Sequence, residues 1–241
     1  MELKFRFLKA NEIDCRVSQI QSNWLTLLLY KDARVDQNIL DEEVGAMNWQ
    51  KRYLRDNANC IVGIWDEDKK QWVEKEDTGK ESFSEAEKGL ASDSFKRACF
   101  NWGIGRELYT SPSIIIFPRA DMIRKGQQSE FYAYKKDKDG KDVYTTKTSF
   151  YVEYIDYDTN KNIKDLIIRD NCNNIRFSEL TKETEKKLVD IQNKLKDLIV
   201  KKEEKEKDWD RTKLYEFYKV DSDSKLTFKQ MEEAIKILEK K

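Results

Sequence analysis

The chain has 241 residues, and its 46 basic and 46 acidic side chains balance to zero net charge, with no histidine anywhere. The missing histidine excludes Ser-His-Asp and Cys-His nucleophile systems and His-containing metal sites, and no G-x-x-x-x-G-K-[ST] run supplies an ordinary ATP-binding loop. With neutral bulk charge, a nucleic-acid partner would need cations concentrated locally, because affinity for a polyanion comes from phosphate neutralisation.

The opening MELKFRF has no apolar segment behind it, so no signal peptide is expected. No run approaches the ~20 apolar residues of a membrane span. Cys15, Cys60, Cys99 and Cys172 form no C-x-x-C pair, which fits a reducing cytosol better than a zinc or disulfide framework. Leu3, Phe5 and Phe7 alternate as a strand would, and Asn11-Glu12 opens a short helical turn before Arg16. Trp24–Tyr30 (WLTLLLY) is a nearly continuous apolar run, read as a strand covered on both faces. Asp36–Asn48 is read as a helix with Ile39, Val44 and Met47 inward and Asp41, Glu42 and Glu43 outward.

From Trp49 the chain alternates, placing Trp49, Lys51, Tyr53 and Arg55 on one strand face. Cations interleaved with rings suit a groove for a single nucleic-acid strand. Aromatics packed under long aliphatic stems explain the same pattern without a ligand. Asn59–Trp65 and Gln71–Lys75 make a hairpin across the acidic loop Asp66–Lys70. These three strands with the Trp24 strand are expected to form a curved antiparallel sheet.

Across that sheet should lie the long helix of the stretch KESFSEAEKGLASDSFKRACFNWGIG, residues 80–105. Phe83, Ala86, Leu90, Ala98, Cys99 and Trp102, widened by Ala91 and Phe95, repeat at helical spacing. Ser82 or Ser84 can cap its start and Gly103 can end it in a left-handed conformation. Its other face carries Lys88, Ser92 and Lys96, with Arg97 beside Lys96. Such a row can floor a polyanion site, or be a solvated face in which Asp93 and Arg97 pair weakly.

The run Gly89-Leu90-Ala91-Ser92-Asp93-Ser94-Phe95-Lys96-Arg97-Ala98, followed by Asn101-Trp102-Gly103, resembles the signature helix of the Rad fifty-two superfamily. It is most similar to that of the phage-encoded Sak-type single-strand annealing proteins. The likeness covers about residues 11–109, in the order strand, helix, three strands, long helix. It implies ATP-independent binding of single-stranded DNA in a groove around a homo-oligomeric ring, then pairing of complementary strands in recombination and repair. It also implies that Arg16, in its Ile-x-x-Arg setting, reaches the DNA backbone; a plain surface arginine is the other reading. In the eukaryotic branch a further cation follows the Lys-Arg pair by three residues, where this chain has Phe100.

Beyond the helix, Ile114–Phe117 is a strand between Pro112 and Pro118. Asp139-Gly140 turns between Phe131–Tyr134 and Val143–Tyr144, and Tyr144–Tyr157 and Ile163–Ile168 are further strands that either extend the sheet or pair with a neighbouring subunit. Leu180, Thr184, Leu188, Ile191, Leu195 and Leu198 stripe a Lys/Glu-rich helix suited to packing back on the domain. Two small helices end the chain, the second capped by Thr227 with Gln230. Asp221, Asp223 and Glu232 have a calcium-loop flavour, but Lys225 and Leu226 occupy positions where oxygen ligand and glycine belong.

The expected protein is therefore α+β: a β-α-β-β-β-α core with its curved sheet on a long helix, a second β region and a helical tail. Its expected parts are a DNA-binding domain (1–177), a charged helix and linker (178–208) and a small helical module (209–241) suited to a partner such as a host single-strand-binding protein. The expected contacts to single-stranded DNA are Lys96, Arg97, Arg16, Lys51, Arg55, Tyr53 and Lys88, in the cytoplasm of a bacterial host. No catalytic residue, metal or cofactor is expected. Two other readings stay open: an interaction scaffold acting through the C-terminal helices, and a metal-dependent nuclease using Asp66, Asp68, Glu74 and Asp77.

Overall fold

The computed structural model of the chain describes residues 3–80, 86–120 and 129–239, with the backbone alone for 86–88. In chain order, a 3-10 turn (Ala10–Glu12) precedes β1 (Asp14–Ile20), β2 (Leu25–Tyr30), α1 (Ala33–Val44), β3 (Trp49–Leu54), β4 (Asn59–Asp66), β5 (Gln71–Thr78) and α2 (Ala86–Trp102). After a 3-10 turn (Arg106–Thr110) come β6 (Ile114–Ile116), β7 (Tyr132–Lys136), β8 (Asp142–Thr145), β9 (Phe150–Tyr157), β10 (Ile163–Asp170) and β11 (Ile175–Glu179). The helices α3 (Lys182–Lys205), α4 (Thr212–Tyr218) and α5 (Phe228–Glu239) close the chain. The protein is α+β, with antiparallel sheets and a helical C-terminal region, and it divides into two compact units.

The first unit, Met1–Asp14 with Leu29–Ser111, holds a three-stranded antiparallel sheet, β3-β4-β5, with α2 packed across it. Register places Lys51, Val62 and Lys75 in one row across the sheet, on the face that meets α2. Phe95, Ala98 and Cys99 of α2 are buried with Cys60, Val62 and Ile64 of β4, as the three-and-four spacing demands. Gly103 (φ 101°) ends the helix, with Ile104 N bonded back to Cys99 O at 3.2 Å, the left-handed cap expected of it. Gly79 lets the exit of β5 run against α2: a Cβ there would lie 2.6 Å from Ser94 N and 2.8 Å from Leu90 O. The expected caps Ser82 and Ser84, and Phe83 of the stripe, lie outside the described residues.

The second unit, Cys15–Leu28 with Pro112–Lys241, is built on a six-stranded sheet in the order β11-β10-β9-β1-β2-β6, and β7-β8 form a separate hairpin turned at Asp139-Gly140. Arg176 of β11 donates to Phe117 O, just past β6, at 2.6 Å, so a side chain joins the two edges of a curved sheet. Ile167, Leu188 and Phe228 form one buried cluster, and Leu195, Ile199, Leu214, Leu226, Met231 and Ile235 another. Buried Arg169 pairs with Glu153 and donates to Ser224 O and Leu226 O at 3.0 Å, while Glu153 accepts from Phe228 N at 2.8 Å. The Thr227–Gln230 capping box forms as expected.

Several expectations change. The Trp24 strand does not join β3-β4-β5; as β2 it pairs with β6, Leu27 opposite Ile114, and the second β region pairs with β1 in the same sheet. Leu3–Phe7 is not a strand: Phe5 and Leu8 are buried, and Leu8 N donates to the Glu107 carboxylate at 2.8 Å in place of a neighbouring strand. Helix α1 starts earlier, capped by Asp32, and stops at Gly45 (φ 85°), leaving Met47 beyond it and 90% exposed. The boundaries at 177/178 and 208/209 do not separate compact units: Leu188 of α3 and Phe228 of α5 are buried with Ile167 of β10, and the rest of the two stripes are buried against each other.

Candidate nucleic-acid interface

The geometry centres on the ring of Phe95, which the α2 stripe turns toward β3 and which is 1% exposed. Trp49 stacks on it with centroids 6.2 Å apart at 29°. The Lys51 ammonium lies 4.5 Å from the Phe95 centroid and 5.9 Å from that of Tyr53. Alternation along β3 puts Trp49, Lys51 and Tyr53 together, so three of the four residues expected on one face are there. Lys51 is exposed and has no ion pair among the described residues. Tyr53 is half-buried, and burial with the neighbouring Cys60 and Cys99 thiols pushes its phenol up to about 12.

Arg55 is a correction. β3 ends at Leu54, opposite Asn59, and Arg55 lies in the connecting turn at φ 54°, followed by Asp56 (51°) and Asn57 (71°). Three successive left-handed residues leave Arg55 off the strand face that carries Lys51. Arg16 is exposed on β1, in the second unit, whereas all the other expected contacts belong to the first. The side chain of Lys88 lies outside the described residues.

Lys96 and Arg97 diverge, since consecutive helical residues point ~100° apart. Lys96 is half-buried, has no ion pair among the described residues, and acts electrostatically on Asp36 of α1. Burial pushes that buried carboxyl up to about 6, against the pull of Lys31, its ion-pair partner, and of Lys96. Lys31 in turn lies 4.4 Å from the Phe100 centroid, and Gly105 (φ 75°) keeps clear the space its side chain fills. Arg97 turns to β5, with Nε 3.8 Å from an Asp77 oxygen and without a hydrogen-bond partner. The expected Asp93–Arg97 pair does not form; Asp93 accepts from Lys80 N at 2.9 Å, tying the exit of β5 to α2.

The carboxylates of the nuclease reading are scattered. Asp66 accepts from Lys69 and the backbone of its own turn, Glu74 pairs with Arg52 on the sheet face away from α2, and Asp77 faces Arg97. No group of three or more metal-capable side chains occurs among the described residues. In the C-terminal region Asp221 binds Lys225 at 2.6 Å and Asp223 accepts from the Tyr215 hydroxyl at 3.0 Å, so both acids serve internal contacts.

Two cations escaped the sequence reading. Lys75 of β5 lies 4.4 Å from the Trp102 centroid, and Arg106 donates to the last carbonyls of α2. The signal for Lys75 in the sequence is period two from Val73 to Lys75, which puts it on the face that meets α2; Arg106 has none. No helix of the described residues is long and apolar enough to cross a membrane. Set beside protein-family models, curated proteins and solved structures, the chain matches none.

Proposed function

We propose that the first unit binds single-stranded DNA along α2 and β3 and anneals complementary strands without ATP, in recombination or repair. The reading is supported most by Lys51, an exposed ammonium held over the Phe95 and Tyr53 rings with no carboxylate partner among the described residues. Lys96 follows Phe95 directly and is likewise without an ion pair among them. Phe95, 1% exposed, serves to position the lysine, while the ammonium is available to a phosphate and the half-buried Tyr53 ring offers surface to a base or ribose. Gripping the backbone leaves base edges free to test a complement, and duplex formation supplies the free energy.

The resemblance of the Lys96-Arg97-Ala98 helix adds a phage-encoded, ring-forming protein of the host cytoplasm, and the C-terminal helices, outside the span of that resemblance, are the part suited to a partner such as a host single-strand-binding protein. The test is binding and annealing of oligonucleotides across salt concentrations, with particle size followed in the same samples. Lys51→Ala with Lys96→Ala should lower the salt slope by about 1.4, at ~0.7 per phosphate contact on single strands. The scaffold reading predicts instead that a Lys96→Ala, Arg97→Ala protein keeps full activity. A wild-type protein that binds no strand at low salt would sink the proposal.

A further inference from the structure

We infer that the C-terminal end of α2 carries a second nucleotide-phosphate contact, made by Lys75 and Arg106 beside the Trp102 ring. It rests on the strand-binding reading for its biological setting and on its own geometry for its chemistry. The Lys75 ammonium donates to Asn101 O at 2.8 Å while lying over the indole of Trp102. Arg106 donates through Nε to Phe100 O at 2.5 Å and through Nη2 to the same Asn101 O at 2.8 Å. Two full positive charges thus converge on one carbonyl, and neither has a carboxylate partner among the described residues.

Helix capping does not account for the pair. The negative end of a helix dipole amounts to roughly half an elementary charge, which leaves most of the combined charge uncompensated. Burial, and then the nearby Arg106, hold the Lys75 ammonium below its ordinary value, so a bound anion would relieve both costs. Both side chains keep spare N–H donors after their backbone contacts. Arg106 is exposed, and the forked guanidinium matches phosphate geometry.

The surroundings select a phosphate that carries a base. Trp102 is only half-buried, and Tyr109, 70% exposed, meets the Phe100 ring edge-on at 5.1 Å. Phe95 and Trp102 stand seven residues apart on one helix face, a rise of about 10 Å. Each carries a lysine over its ring, and both lysines oppose Val62 across the sheet. A strand gripped at Lys51 would have its next contact here. A free nucleotide offers the same phosphate and base.

The test is a titration of the full-length protein with dTMP and, separately, with an oligothymidylate. The Trp102 indole N–H is followed by NMR and assigned from a Trp102→Phe spectrum. In the wild type dTMP should shift that resonance, and in a Lys75→Met, Arg106→Gln protein it should not. The strand salt slope of that variant should fall by about 1.4, at ~0.7 per contact, and Arg106→Lys should keep most of it. A lowered slope without a dTMP shift assigns the site to a strand backbone; a dTMP shift with an unchanged slope assigns it to free nucleotides. No dTMP shift together with an unchanged slope, even if melting falls, overturns the inference and leaves capping as the whole role. If the wild type bound no strand the proposed function would fall, and the dTMP titration would still decide this site.

Discussion

Cations are handled in two opposite ways, and apart from the buried Lys31–Asp36 pair of the first unit the examples of each fall in different units. In the second, Arg169 and Arg176 are buried and saturated: Arg169 by Glu153 and backbone carbonyls, Arg176 by Glu130, Asp170 and Phe117 O. In the first, Lys51 and Lys75 lie on ring faces without a carboxylate among the described residues. A buried charge left without its partner is costly, so the arginines act as fasteners that weld C-terminal helices and sheet edges. A cation over a ring is held by about 0.5–2 kcal/mol and stays available to an anion. Abundance of charge therefore says little in a chain of zero net charge; partnering is what separates scaffold from surface.

The largest expected effect breaks that comparison from the second unit. Arg169→Met leaves Glu153 buried without a counter-charge, with only the Phe228 N–H among the described residues bonded to it, and should lower stability by about 4–5 kcal/mol in urea unfolding. A loss below about 1 kcal/mol would mean that the pair is not a fastener. Next comes Lys31→Met in the first unit, which strands Asp36 and should cost about 3 kcal/mol at pH 7.5. That cost should shrink on acidification, since without the pull of Lys31 burial holds the Asp36 carboxyl higher still, and it sheds its charge by taking up a proton. The wild type carries the same sign: Asp36 contributes stability that is complete below the ordinary aspartate range and is lost as pH rises through about 6.

Glu130 and Asp170 run the other way. Burial pushes both up, but Arg176, Thr148 and backbone N–H groups around Glu130, and Asn174, backbone N–H groups and Arg176 around Asp170, outweigh it and hold both below their ordinary values. Their stabilisation is present above the ordinary carboxylate range and fades as pH falls through the lowered values. Acid unfolding followed by NMR signals of each unit should show these opposite dependences. Smaller still, Lys51→Ala and Lys96→Ala should each change stability by under about 1 kcal/mol while each lowers the strand salt slope by ~0.7. The least change is expected from Lys70→Ala, whose partner Glu67 is equally exposed: within about 0.5 kcal/mol, with the slope unchanged.

Much of this fold is written in local pattern. The buried line Phe95, Ala98 and Cys99, the stop at Gly103, the β4-β5 hairpin and the Thr227–Gln230 cap all follow from spacing within a few residues. What was not legible depends on partners distant in sequence. DCRVSQI has little apolar alternation, so β1 has no strong signature of its own, and its place between β9 and β2 is set by long-range pairing. The burial of Asp36 has no signal in the helical spacing, because it depends on Lys31 five residues earlier as its ion-pair partner. Arg55 fits the strand period, yet Asp56-Asn57 behind it is a pair that tolerates left-handed backbone and marks the turn in the sequence itself. Within the candidate site, Lys51 was legible because its face is local, whereas Arg106 emerged only once the end of α2 was placed.

The pairing of Leu27 with Ile114 carries an architectural consequence. The chain leaves the six-stranded sheet after β2 and returns in β6, its antiparallel neighbour, so residues 29–111 form topologically an outsized hairpin connection. Since closing a loop grows costlier only logarithmically with its length, such a guest can be lengthened, shortened or exchanged while the host strands keep their alignment. A graft of another cargo between those two strands, with the first fourteen residues removed alongside it, is the natural way to use this scaffold as a carrier.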